Sequence, residues 1–210
     1  MPKTKAFDEH LEEYEDWFVQ NQFAFRSEVN AIRQMMPENT EVIEVGVGSG
    51  LFAEKLGIKE GIEPSAEMGE KARRRGIHVI RAVGENLPYP DKSKEAVLMV
   101  TTVCFLDDVE KAFHEVNRVL KDQGVFLLAF VDKDSQRGEI YLKHKHENIF
   151  YRDAVFYSTN ELHKILLNTG FNLDSICQTV FGKLENIKKV QNIVSGHGRG
   201  GFVVLKALKI

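Results

Sequence analysis

At 210 residues with 43% hydrophobic side chains, the chain is long enough to bury one sizeable α/β core and is read as a single domain. A formal net charge of -3 and a pI near 6.2 argue against a general attraction to nucleic acid or anionic lipid, which leaves a small molecule as the expected partner. Cys104 and Cys177 lie far apart in sequence with no metal-like spacing and read as buried reduced thiols, and neither the acid-rich stretch 1–18 nor the apolar run 125–131 reads as a leader or a membrane span, so a cytoplasmic protein with no membrane partner is expected.

Residues 7–21 carry Leu11, Tyr14, Trp17 and Phe18 at helical spacing, with acids between them. Such a stripe ordinarily packs on a core, but Tyr14 and Trp17 could instead close over a site as a lid, where aromatic faces attract cations and keep out water. A second helix places Phe25, Val29, Ile32 and Met36 on one face and stops at Pro37. Arg26 lies off that stripe, either solvated or within reach of a ligand carboxylate.

The apolar run 42–45 then breaks into alternating glycines, Gly46, Gly48 and Gly50, and resumes as a helix over 51–56. Glycine admits positive φ and lets a ligand touch the main chain, so strand, tight loop and helix point to a nucleotide-type site at a strand end. Glu44, just before the loop, favours a cationic ligand group. The spacing is G-x-G-x-G, whereas a dinucleotide fold uses G-x-G-x-x-G and must receive a pyrophosphate.

A second strand ends at Ile62 and Glu63, followed by Pro64, which cannot continue a sheet ladder. Glu63 stands seventeen residues after Gly46, near the interval at which an acid meets ribose hydroxyls. Ser65 is placed to cap a helix over 66–74, and the arginines at 73–75 complement its dipole. Strands follow at 77–82 and 95–101, then a helix capped by Asp107 or Asp108, a turn at 121–124 and a strand at 125–131. Residues 132–158 interrupt the alternation with His144, His146, Tyr151 and other aromatics and read as a substrate-side insertion. Ser158 and Glu161 form a capping box for a helix to Asn168, and two β-like runs, 171–181 and 202–208, flank a glycine-rich turn.

Taken together, residues 44–50, 62–65, 85–88, 95–97 and 118–124 resemble the successive motifs of the class I S-adenosylmethionine-dependent methyltransferases, in their small UbiE-like, type 11 branch. The likeness spans residues 40–131, and Tyr14 to Phe18 resembles that branch's leading helix. It implies a doubly wound, mostly parallel, seven-stranded Rossmann-like sheet with an antiparallel edge strand. The domain would run from an N-terminal helical cap (1–39) through a cofactor core (40–131) and the insertion to a C-terminal helix and edge strands (159–210). It further implies that Glu44, Gly46, Val47, Gly48 and Gly50 face the methionine part of the cofactor, that Glu63 beside Pro64 takes the ribose, that Gly84 and Glu85 flank the adenine, and that Thr101 and Thr102 lie near the methyl group. Relatives carry Gly-Asp-Ala where this chain has Ala82, Val83 and Gly84, which removes a carboxylate from position 83.

The implied reaction is in-line transfer of a methyl group from S-adenosylmethionine to a small acceptor, with S-adenosylhomocysteine as product. For an amine acceptor, His144, His146 and Tyr151 are the candidate bases, and no metal site is expected. A nicotinamide-dependent oxidoreductase and a non-catalytic S-adenosylmethionine-binding module are the alternatives.

Overall fold

Short apolar strands buried on both sides demand helices on both faces of the sheet, and the chain supplies them. The computed structural model describes residues 3–210. Three helices lead, α1 (Lys5–Glu9), α2 (Leu11–Gln20) and α3 (Gln22–Met35). The alternating unit follows: β1 (Val42–Val45), α4 (Leu51–Leu56), β2 (Glu60–Ile62), α5 (Ala66–Arg74), β3 (His78–Ile80), β4 (Lys94–Val100), α6 (Val109–Val119) and β5 (Leu120–Val131). Then come α7 (Gln136–His144), α8 (Thr159–Asn168), β6 (Phe171–Thr179), β7 (Val194–Ser195) and β8 (Phe202–Lys209).

The sheet order is β3-β2-β1-β4-β5-β8-β6-β7. The first five strands are parallel, and β8 enters antiparallel between β5 and β6. The expected mostly parallel doubly wound sheet is therefore present, with eight strands where seven were expected. The extra one is the two-residue β7, paired through Cys177–Ser195 and Gln178–Val194, too short to leave a periodic signal.

Side chains alternate between two cores. Val42, Leu98, Leu127 and Val204 join α3, α4 and Ala72 of α5 on one face. Val45, Met99, Phe126 and Leu205 join Phe113 and Val116 of α6 and Leu162 of α8 on the other. Predicted caps form as sequence suggests: Ser65 accepts from the Met68 amide, Asp108 from Lys111, and Ser158 and Glu161 make the reciprocal box.

Three expectations change. The single helix over 7–21 breaks at His10, whose backbone leaves the helical region (φ -130°, ψ 37°), so α1 can turn onto α5. The turn at 121–124 is absorbed into β5, which starts at Leu120; Gln123 takes a positive φ of 62°, and the register against β4 slips between Lys94 and Ala96, as at a bulge. The insertion contains a regular helix, α7, capped by Ser135. Among the described residues no helix is long and apolar enough to cross a membrane.

The segment after β3 has little regular structure and is held largely by the side chains of Arg118 and Glu115. Arg118 donates to Glu115 (2.7 and 2.8 Å) and to the carbonyls of Leu87 (3.0 Å) and Tyr89 (2.8 Å), while Glu115 accepts the Leu87 amide (2.8 Å). Arg118→Ala should lower stability by about 2 kcal/mol, the scale of charge-assisted hydrogen bonds, and expose residues 84–91 to proteolysis. Unaltered melting and cleavage would show that the segment holds itself.

Candidate functional site

The carboxyl ends of β1, β2 and β4 meet at a cavity of about 940 Å³. Its floor is the loop after β1. The amides of Gly46 and Val47 both donate to the Ile62 carbonyl (2.8 and 3.0 Å), joining the ends of β1 and β2. Gly46 has φ +76°, and a Cβ there would stand 2.3 Å from Thr102 Oγ1, so the close approach of β1 and β4 needs glycine. Gly48 (φ +55°) faces the cavity, with the Tyr14 hydroxyl 3.6 Å from where its Cβ would be.

Glu63 follows β2 directly, and its two oxygens accept the amides of Gly48 (2.8 Å) and Ser65 (2.9 Å). A carboxylate has further lone pairs, so these bonds leave it able to accept a vicinal diol. Glu44 is 1% exposed, and its Oε2 is buried without a hydrogen-bond partner among the described residues. Burial, and then the charge of Glu63, raises the Glu44 carboxyl well above the usual range. Burial also carries Glu63 up to about 7, against the pull of the two amides. Thr101, with φ +49°, is a β-branched residue in the left-handed region, held there by its amide bond to the Ala129 carbonyl (2.8 Å). Backbone strain of this kind gathers where a chain must shape a site.

The roof and far wall are aromatic. Phe7 lies edge-on to Tyr14 (5.7 Å) and Phe105 (5.1 Å) and is tilted against Phe150 (5.4 Å). Tyr151 stacks on Phe105 (6.0 Å) and on Tyr141 (5.1 Å). Burial raises the hydroxyls of Tyr14 and Tyr151 and pushes the Cys104 thiol up to about 12, so none of the three is a base near neutral pH. Behind the rings Arg137, 5% exposed, pairs with Glu28 at 2.9 Å. Among the described residues lining the cavity, seven are acids (Glu13, Glu28, Glu63, Glu85, Asp107, Asp108, Glu147) and three are cations (Lys3, Lys111, Arg137).

Of the residues singled out from sequence, Gly46, Gly48, Glu63, Pro64, Gly84, Glu85, Thr101, Thr102, Tyr14, Trp17 and Tyr151 share this wall. Glu44 is buried in β1, whose end the wall includes. Val47 and Gly50 support it from outside, Val47 against Gly61 and Gly50 against Ala72 and Ile77. Glu85 turns its carboxylate to the amides of Asp107 and Asp108 (2.8 and 3.3 Å), tying the loop after β3 to the loop after β4. Arg26 is exposed and off the wall, because it projects from the solvent side of α3. His144 and His146 are likewise exposed and off the wall, at the solvent end of α7, with His144 paired to Glu147 at 3.0 Å. Phe150 is one of the aromatics of the stretch read as the substrate-side insertion, whereas sequence reasoning missed Arg137, Glu28 and Phe105. Only Glu28 left a trace, as an acid inside the apolar stripe of its helix.

The site fits S-adenosylmethionine better than a dinucleotide. An orphaned carboxylate oxygen calls for a cation, whereas a pyrophosphate would meet Glu44 and Glu63 and find the Gly48 amide already donated.

A raised carboxyl has a signature in stability. Since Glu63 titrates near 7 when folded and near about 4.3 when unfolded, its contribution is fully present below the unfolded value and is lost as pH rises through about 7. The ligand-free protein should therefore melt at falling temperature between about pH 5 and 8. Glu63→Gln should flatten that slope, with a remainder of the same sign from Glu44 and Glu28, whose carboxyls burial also raises. Superimposable slopes for the two proteins would rule out the raised carboxyl.

Comparison with known proteins agrees with this geometry. The model of the type 11 family, described as a methyltransferase domain, matches residues 43–128. An uncharacterised protein of Methanocaldococcus jannaschii is 38% identical over 205 residues, covering 98% of this chain and 99% of its own. An uncharacterised protein of Mycobacterium tuberculosis is 34% identical over 177 residues, 82% of this chain and 62% of its own. The crystal structure of an S-adenosylmethionine-dependent methyltransferase from Thermotoga maritima superposes with a TM-score of 0.96 at 40% identity, covering 99% of this chain and all of that one. With that whole-length likeness added to the glycine loop and its two buried acids, the chain belongs to the class I S-adenosylmethionine-dependent methyltransferases, in the type 11 family.

Proposed function

We propose that the acceptor of this methyltransferase is a small amine, methylated on nitrogen in the aromatic half of the cavity. The observation that carries this reading is the ring cluster of Phe7, Phe105, Phe150 and Tyr151 within an acid-rich wall. Aromatic faces and carboxylates together select a cationic ligand, with about 0.5–2 kcal/mol for each well-placed ring. The Thermotoga relative adds support, being described as a "possible histamine N-methyltransferase".

S-adenosylmethionine supplies, when bound, a methyl group on a positively charged sulfur that a lone pair displaces in line. The chain's part is to hold, orient and dry the reactants. We assign Glu63 to the ribose hydroxyls, Glu44 to the cationic amino-acid end, and the loop at Gly46 and Gly48 to backbone contact. Thr101 and Thr102 border the space between donor and acceptor, and Tyr14, Trp17 and Phe7 exclude water from above. A neutral amine carries its own lone pair and forms the new bond before it sheds a proton, so no side chain need act as base in the step. A hydroxyl or carbon acceptor would need one, and the buried tyrosines and Cys104 do not serve.

A mass-spectrometric screen of small amines, phenols, carboxylates and thiols with S-adenosylmethionine should show methylated product from amines carrying a flat aromatic body, histamine among them. Below the acceptor's own pKa, kcat/KM should rise about tenfold per pH unit as the neutral amine appears. Tyr151→Phe should keep kcat within about twofold, while Phe150→Ala raises KM several-fold. Methylation of phenols or thiols with amines inert would sink the amine reading. Tight S-adenosylhomocysteine binding with no product from any acceptor would favour the non-catalytic module.

A further inference from the structure

One charged group on the wall has no place in that scheme. Arg137, near the start of α7, is 5% exposed, yet it lines the cavity. Its position is fixed from several sides. Nη1 donates to Glu28 Oε1 (2.9 Å), and Nε and Nη2 donate to the Tyr141 hydroxyl (3.4 and 3.1 Å). The guanidinium carbon stands 5.4 Å from the ring centroids of both Trp17 and Tyr141. The stem packs on Gly201, where an added Cβ would come within 2.7 Å of Arg137 Cβ.

A guanidinium has five N–H groups, and these bonds use three. One N–H on Nη1 and one on Nη2 have no acceptor among the described residues. Leaving donors of a buried charge unmade is costly, and a cavity wall is where a ligand would complete them. The geometry suits a carboxylate, since a planar fork matches two oxygens, and Glu28 already offers one oxygen to it. Glu28 is also a partner that can yield: burial raises its carboxyl despite the pull of Arg137, so an arriving anion competes with a group poised to take a proton.

We propose that Arg137 is a carboxylate-binding residue of the cavity, held ready by Glu28 and Tyr141 beneath Trp17. It grips either the amino-acid carboxylate of the methyl donor or a carboxylate on the acceptor. In a wall where acids outnumber cations, it is the buried cation and thus the point where an anionic ligand group is tolerated. Nothing in this depends on the acceptor being an amine.

Two ligand pairs and two variants test it by calorimetry, with thermal melting to confirm folding. The donor pair is S-adenosylmethionine and an analogue lacking only its carboxylate. The acceptor pair is histidine and histamine, added to the protein loaded with S-adenosylhomocysteine. Arg137→Lys loses the fork and should weaken the carboxylate-bearing member of one pair by about tenfold or more, leaving the other member within about twofold. Which pair responds identifies the source of the carboxylate. Glu28→Gln removes the competing anion and should shift the same preference the opposite way, towards the carboxylate-bearing ligand, while lowering the melting temperature of the empty protein. A structural role alone would move both variants in one direction and all four ligands alike. That outcome, or a folded Arg137→Lys protein with unaltered preferences in both pairs, overturns the proposal. Failure to bind either acceptor while the donor preference responds as stated would count only against the amine reading.

Discussion

Glu63 is the fixed point of this site. Its two oxygens take the amides of Gly48 and Ser65, which belong to two different connections, the loop after β1 and the turn that begins α5. A buried carboxylate is tolerated only when hydrogen-bonded, and here the bonds come from main chain that the strands already hold in place. The same residues extend the linkage outward. Ser65 caps α5 through the Met68 amide and donates its hydroxyl to Asp8 on α1 (2.5 Å), so the floor of the cavity and its roof share one chain of bonds. The arrangement accounts for the raised carboxyl, since burial outweighs the two amide donors and the charge of Asp8 adds to it.

The roof is fastened more lightly than the floor. Glu15 on α2 meets Lys71 and Arg75 of the α5 region at 3.2 and 2.8 Å, and partly exposed ion pairs of this kind contribute little. Apolar contact adds more. Phe18 stands edge-on to Phe25 and Phe52, at 5.0 and 5.9 Å, and closes the first core layer from above. Neither α1 nor α2 has a fully buried residue, and their half-buried rings, Phe7 against Phe105 and Phe150 and Phe18 against Phe25 and Phe52, are the contacts that hold them over the site.

Buried ionisable groups lie on two sides of the cavity. The buried acids Glu44 and Glu63 lie at the ends of β1 and β2, and the buried Arg137 sits on α7 after β5, on the far side of β4 in the sheet order, paired with the buried Glu28. The aromatic rings between lower the local dielectric, so each charge counts for more than it would in water.

Much of this was written locally. Strand, glycine loop and helix at 42–56 followed from period and from residues that admit positive φ, and Ser65, Asp108 and Ser158 with Glu161 announced the helices they cap, because capping links groups only three residues apart. The break at His10 and the bulge at Gln123 could not be read this way, since each is set by what its element docks against: α1 on α5, and β5 on β4. The arginines show the division most clearly. Sequence spacing placed Arg26 off the stripe of α3 but could not say what lay beyond it, and Arg137 carried no signal at all. Glu28 and Arg137 are separated by 109 residues, and they meet because the start of α7, following β5, brings the arginine side chain to Glu28 on α3 and Trp17 on α2. Hydrogen bonds and caps act over a few residues and are legible in the chain; which distant charges share a buried wall is decided by sheet order and helix packing, which only the folded molecule brings about.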